Sequence, residues 1–178
     1  EWQKSEDATF VTPERDFEKA NAIVSKAVEK DASEIVEFQA QEILEAYKLP
    51  ALASKLATTA DEAAEAATKI GFPIVLKIAS EQISHESDVG GVKVGLKSAE
   101  EVHATFTEVV ERAAKMRPDA KIDGCLIQEM VPAGCKELII GFKRDPQFGP
   151  LLMFGLGGIY VEILKDISFR LAPLSKED

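Results

Sequence analysis

The run Pro73-Ile-Val-Leu-Lys77-Ile-Ala79, then Ser84-His85-Glu86-Ser87-Asp88-Val89-Gly90-Gly91, then Val92-Lys-Val-Gly-Leu96 decides how this chain is read. The first and third pieces are short, apolar and β-branched, as strands are, and the second is a polar loop joining them. Side chains alternate across a strand, so Ile74, Leu76 and Ile78 share one face and Val75, Lys77 and Ala79 the other. An unpaired ammonium is costly to bury, so Lys77 stands either on a solvated sheet face or on a ligand-facing side, awaiting an anion. Gly90-Gly91 is either an ordinary turn or a pair of N–H groups offered to a phosphate without Cβ interference. His85 is either a surface residue or a nucleophile or proton carrier.

Working outward, the pattern alternates between strand and helix, which assigns an α/β fold. Thr59-Ala60-Asp61-Glu62 and Ser98-Ala99-Glu100-Glu101 are capping boxes. The first opens an alanine-rich helix that ends at Gly71. The second opens a helix through Val102, Phe106, Val109 and Ala113 to about Arg117. Upstream, Thr12-Pro13-Glu14 gives helix-start chemistry, with Phe17, Ala20 and Val24 at helical spacing to about residue 30. A second helix is expected from near Ser33, with Val36, Ala40, Ile43, Leu44 and Tyr47 on one face, stopping before Pro50. Downstream, strands are expected over Cys125–Val131, Glu137–Arg144, Leu151–Phe154 and Ile159–Leu164, with a turn at Asp145–Pro150.

Composition narrows the function classes. With 178 residues, 46% hydrophobic and 29% charged, the chain is an ordinary globular sequence. A net charge of −10 argues against a general nucleic-acid binder, though not against a nucleotide held by a few cations and backbone donors. No apolar run is long enough to span a membrane. Cys125 and Cys135 stand alone, which argues against a disulfide framework or zinc site and suits a reducing cytoplasm. The chain opens at Glu1 and closes on Ser175-Lys176-Glu177-Asp178, so both ends read as cuts in a longer protein.

The last third offers further candidates. Glu129 shares a strand face with Ile127, and Gln128 shares the other with Met130. An acid there, before Val131-Pro132, is either exposed at a strand end or part of a segment crossing between lobes. Phe154-Gly-Leu-Gly157-Gly158 lacks dinucleotide-fingerprint spacing and leads into a strand-like run. Glu162, Asp166 and Arg170 are ligand groups, salt-bridge partners or surface residues.

Taken together, Val75-Leu-Lys77-Ile, Ser84-His85-x-Ser87-Asp88-Val-Gly90-Gly91-Val-Lys93, Gln128-Glu129-Met130-Val131, Glu137-Leu-Ile-Ile-Gly141 and the run from Arg144 to Gly158 with Val161-Glu162 resemble a known family. It is the ATP-grasp domain of ADP-forming acyl-CoA (acetate–CoA) synthetases, and the resemblance covers about residues 17–178. It implies an ATP-grasp fold of two small lobes with nucleotide between them, the C-terminal part of the fold missing. Residues 1–16 would be a linker, 17–50 the first helices of lobe 1, 51–124 the small lobe, and 125–178 lobe 1 continued.

The resemblance also implies roles. Lys77 would bridge ATP phosphates, and Gly90-Gly91 would form the mobile loop covering them. Gln128, Glu129, Met130 and Val131 would contact adenine and ribose, and Glu137 would sit beside the sugar. His85 would take up phosphate passing between ADP and a phosphohistidine in a CoA-binding partner domain or subunit. The reaction implied is acid + CoA + ATP ⇌ acyl-CoA + ADP + phosphate. A neutral imidazole nitrogen is well populated near pH 7, as such a nucleophile requires.

Two features depart from that pattern. The family commonly has lysine after the loop histidine, where this chain has Glu86, an anion in place of a cation. The acidic and asparagine magnesium ligands are expected beyond residue 178, so the segment alone is expected to be inactive. The rival readings are a regulatory synthetase-like module of a protein acetyltransferase and a succinyl-CoA synthetase-type beta subunit.

Overall fold

The computed structural model describes residues 15–32, 35–83, 85–158 and 167–174. The chain divides into two compact units, Thr12–Val131 and Pro132–Asp178.

In the first unit, helices α1 (Phe17–Glu29) and α2 (Glu37–Ala46) precede strand β1 (Ser54–Ala57) and helix α3 (Ala60–Ile70). Strand β2 (Ile74–Ala79), a 3₁₀ turn (Glu86–Val89), strand β3 (Val92–Leu96), helix α4 (Ala99–Met116) and strand β4 (Gly124–Glu129) follow. The strands form one antiparallel sheet in the order β1-β4-β2-β3. Both capping boxes form: Thr59 Oγ1 accepts from Glu62 N–H and Ser98 Oγ from Glu101 N–H, each at 3.2 Å. Each glutamate reaches back one residue beyond the cap, to the N–H of Thr58 and of Lys97, both at 2.8 Å.

Strand alternation then sorts the sheet. Ile74, Leu76, Ile78, Cys125 and Ile127 turn to one face and join Ala63, Ala67, Val102, Val109 and Ala113 of α3 and α4 in a single core. The buried residues of α3 are alanines, Ala63, Ala66 and Ala67, so the larger side chains of the core come from the strands and from α4. The other face of the sheet carries Val75 and Lys77, paired across to Gln128 and Leu126 of β4.

The second unit is a meander of β5 (Leu138–Asp145), β6 (Gly149–Leu156) and β7 (Ile167–Leu171). The turn between β5 and β6 is held by Asp145 Oδ1, which accepts from the N–H groups of Gln147 and Phe148 at 2.8 and 2.9 Å.

Several boundaries differ from the sequence reading. Helix α1 begins at Phe17, capped by Asp16 through Lys19 N–H at 2.9 Å, and α2 begins at Glu37 rather than near Ser33. Thr12-Pro13-Glu14, Ser33 and the strand expected over 159–164 lie outside the described residues. Strands β1 and β7 were not expected. The lobe boundary expected at residues 124/125 falls at the start of β4, whose hydrogen bonds to β1 and β2 make it an inner strand of the four-stranded sheet. The early helices, expected with the later strands, belong instead to the unit of that sheet. They are tied there by Asp16 N–H to the Ala46 carbonyl and by the bond between Ser54 and Gln41.

Candidate functional site

Lys77 lies on the sheet face opposite the α3/α4 core, as strand parity requires, and its side chain is 21% exposed. It is not free. Its Nζ donates to both carboxylate oxygens of Glu37, at 2.7 and 2.9 Å. The buried Gln128 donates through Nε2 to Glu37 Oε1 at 3.2 Å. Glu37 is the first residue of α2, and no side chain caps that helix. A carboxylate in a first turn commonly serves the helix N-terminus; this one is turned onto the strands. Sequence reasoning missed Glu37. The available signal was an acid opening an amphipathic helix, which nothing local connects to a lysine 40 residues away.

Glu37 shares a cleft of about 450 Å³ with His85, Glu86, Ser87 and Asp88 from the loop after β2, floored by Ile78 and Leu126. That volume lies within the range of small-molecule sites. Glu86 is partly buried there. Burial, and next the charge of Glu37, push its carboxyl above the usual value, with Lys77 pulling the other way. The departure noted in the sequence therefore points inward: Glu37, Glu86 and Asp88 all line this cleft, with the Lys77 ammonium bonded to the first of them. His85 stands exposed at the start of the 3₁₀ turn, at the rim of this cleft and of a second one shared with Met116 and Arg117. Ser84 lies outside the described residues.

The glycine pair corrects an expectation. Gly90 N–H donates to the Ser87 carbonyl at 3.0 Å and Gly91 N–H to the Glu86 carbonyl at 2.8 Å, so neither is offered to a ligand. Their identities are set by the turn. Gly90 takes φ +62°, and a Cβ on Gly91 would collide with Ile78 Cγ2 and stand 2.8 Å from the Glu86 carbonyl oxygen.

The remaining candidates separate. Gln128 shares the sheet face of Lys77, across from Val75, and is spent on Glu37, whereas Glu129, Met130 and Val131 are exposed where β4 runs out. Ala53 N–H donates to Glu129 Oε2 at 3.3 Å. Glu137 belongs to the second unit, where its carbonyl accepts from Gly157 N–H at 2.9 Å and its carboxylate lies against Gly158. Arg170 stands on β7 and donates to the Phe169 carbonyl at 2.9 Å. Glu162 and Asp166 lie outside the described residues. Among the described residues no group of three or more histidine, cysteine or acidic side chains converges as a metal site. No helix described is long and apolar enough to cross a membrane.

Comparison with known proteins agrees with this architecture. The family model of the ATP-grasp domain matches residues 26–178. The chain is 48% identical to the beta subunit of ADP-forming acetate–CoA ligase I of Pyrococcus furiosus, over 90% of this chain and 68% of that one. It is 46% identical, over its whole length, to 25% of the ADP-forming 4-hydroxybutyrate–CoA ligase of Nitrosopumilus maritimus. The chain thus spans about two thirds of one relative and a quarter of the other. A similar solved structure is acetyl-coenzyme A synthetase 1 of Ca. Korarchaeum cryptofilum, at TM-score 0.74 and 43% identity, covering 89% of this chain and 67% of that one. That protein was solved with coenzyme A and Mg-AMPPCP, its phosphohistidine segment pointing towards the nucleotide-binding site. A part-buried strand lysine, a histidine loop at the rim of the neighbouring cleft and these likenesses converge: the chain belongs to the ATP-grasp family, in the group of the beta subunits of ADP-forming acetate–CoA ligases.

Proposed function

We propose that this chain is the nucleotide-binding, phosphoryl-transferring part of an ADP-forming acyl-CoA synthetase working through phosphohistidine. The observation that carries the reading is Lys77, a part-buried ammonium on an otherwise apolar strand, bonded to a residue of the cleft whose rim bears His85. Phosphoryl transfer asks a protein mainly for positioning and for charge stabilisation, and a fixed ammonium supplies the second.

In this reading Lys77 meets the phosphates. A neutral nitrogen of His85 attacks the γ-phosphorus, the bond to the β-phosphate oxygen breaks with its electron pair, and ADP leaves as the imidazole gives up its proton. The phosphoryl group then passes to a histidine of a CoA-binding domain or subunit, making the phosphohistidine and freeing His85; there the acid takes it up as an acyl phosphate, from which the CoA thiol displaces phosphate, and the reverse direction makes ATP. Met130, Val131 and the exposed end of β4 are assigned to the adenine and ribose, and Glu137 to the sugar. Magnesium, when bound with the nucleotide, neutralises phosphate charge; no described residue is assigned to it, and no step is routed through it. Two lone cysteines suit a reducing cytoplasm.

The test is labelling of the full-length protein with γ-labelled ATP and magnesium, comparing wild type with His85→Ala. Acid-labile label that disappears in the variant, with nucleotide still bound, is the expected result. Label that survives the substitution would move the phosphohistidine wholly to the partner domain. Bound nucleotide with no label in either protein would favour a regulatory synthetase-like module.

A further inference from the structure

We propose that Glu37 is a positioning residue for the phosphate lysine, engaging the Lys77 ammonium with both carboxylate oxygens while buried Gln128 holds that carboxylate through another hydrogen bond. The inference rests on the reading of Lys77 given above and goes beyond it, naming what makes that lysine competent.

A lysine ammonium carries three N–H donors on a flexible four-carbon stem. Left without a partner, it would spread over several rotamers and would have to be ordered during the reaction. Electrostatic stabilisation of a transition state depends on charges already in place. Here two donors go to Glu37, and the third remains for a phosphate oxygen on a side chain that keeps partial exposure. Glu37 is itself held. It sits at the fixed start of α2, and its Oε1 accepts from Gln128, a side chain only 5% exposed. Gln128 in turn belongs to β4, the strand hydrogen-bonded to β2 alongside Lys77. Strand, helix and strand thus fix one ammonium through three hydrogen bonds. Protein kinases place a strand lysine against a helix glutamate in the same manner, and there the pair must be in place for activity. Gln128 is thereby reassigned, from a base or ribose contact to a support of the phosphate lysine.

A strut that merely ties α2 to the sheet would show the same bonds, so the test must separate the two. In the full-length protein, the initial rate of acid-labile labelling from γ-labelled ATP and the nucleotide Kd are measured for Lys77→Met, Glu37→Gln, Glu37→Asp, Gln128→Leu and the Lys77→Met/Glu37→Gln double variant. Glu37→Gln is expected to slow labelling about ten- to a hundred-fold, the scale set by misplacing a catalytic group by an ångström. Glu37→Asp should recover part of that loss, and Gln128→Leu should lose less in the same direction. Once Lys77 is gone, Glu37→Gln should cost nothing further in residual rate, because a residue acting through another has no effect in its absence. An additive loss in the double variant would make Glu37 a strut and overturn the inference. So would wild-type labelling in Glu37→Gln, or tighter nucleotide binding, which would mark the carboxylate as a competitor of phosphate. Lys77→Met labelling like wild type would overturn the reading of Lys77 itself and this inference with it. If Glu37→Gln fails to fold, Glu37→Asp and Gln128→Leu decide the matter, and unchanged rates in both reject the inference.

Discussion

The two sheets of this protein are built from similar alternating apolar strands, yet they end in different states. In the four-stranded sheet, Ile74, Leu76 and Ile127 are fully buried, because α3 and α4 flank β2 and β3 in the chain and return over one face. In the three-stranded sheet, Ile140 and Phe142 on one face are 66% and 74% exposed, and Phe169 and Leu171 on the other are also exposed. Burial is therefore a property of what covers a strand rather than of its own pattern. The comparison also locates the chemistry. The covered sheet has one face to spend on a charged cluster because its other face already supplies a core. Among the described residues both faces of the meander keep exposed apolar side chains, and large exposed apolar area is uncommon on monomers.

The sharpest way to break this contrast is to truncate one residue on each side of it. Leu76→Ala should cost about 2–5 kcal/mol of unfolding free energy, the usual range for emptying a core site, whereas Phe142→Ala should stay within about 0.5 kcal/mol. Urea unfolding of the two variants checks this, and a loss at Phe142 comparable to that at Leu76 would break the comparison. Next comes Gly91→Ala. Its Cβ would collide with Ile78 and with the Glu86 carbonyl, so a penalty of about 1–3 kcal/mol is expected, together with displacement of the His85 loop. A cradle that merely offered N–H groups to a ligand would instead keep its stability and lose nucleotide affinity.

The smallest effect is one of acidity, and it runs in opposite directions in the two units. Glu86 is raised by burial and by Glu37, so its folded form gains protons before the unfolded one does. Its contribution is complete below the unfolded value of 4.5 and is lost as pH rises through the raised folded value. Glu86→Gln should therefore be more stable than wild type at pH 7, with the gap closing towards pH 4.5. Asp145 is lowered by the N–H groups of Phe148 and Gln147. What it contributes is present above its unfolded value of 3.8 and disappears as pH falls through the lower folded value, so Asp145→Asn should lose its penalty on acidification. Unfolding midpoints of both variants across pH 3–7 test the signs.

Much of the framework was legible beforehand. The two capping boxes, the Gly71 stop and the parity of β2 are local matters of spacing, and each appears where spacing put it. The opposition of Lys77 to the Ile74/Leu76/Ile78 face followed from a period of two, and the family followed from ordered motifs. The misses have two causes, one distant and one local. Strand β1 is four residues without a strong pattern, and it is a strand because Ser54–Ala57 pair with Cys125–Gln128 some seventy residues on. Of the two readings open for Gly90-Gly91, the turn is the one that forms: its carbonyls take up both N–H groups, which composition alone does not reveal.

Local spacing settled the two capped helices α3 and α4, the apolar run of β2, the side on which Lys77 stands, and the family to which the motifs belong. Those properties depend on residues within a few positions of one another, through steric preference, capping and side-chain period. Tertiary structure alone decided that Glu37 and Gln128 meet at Lys77, that Glu86 turns into the same cleft, and that β4 belongs inside the first sheet. Such choices depend on which distant backbone groups find each other and on which charges are withdrawn together from water, energies that exist only once the chain has closed on itself.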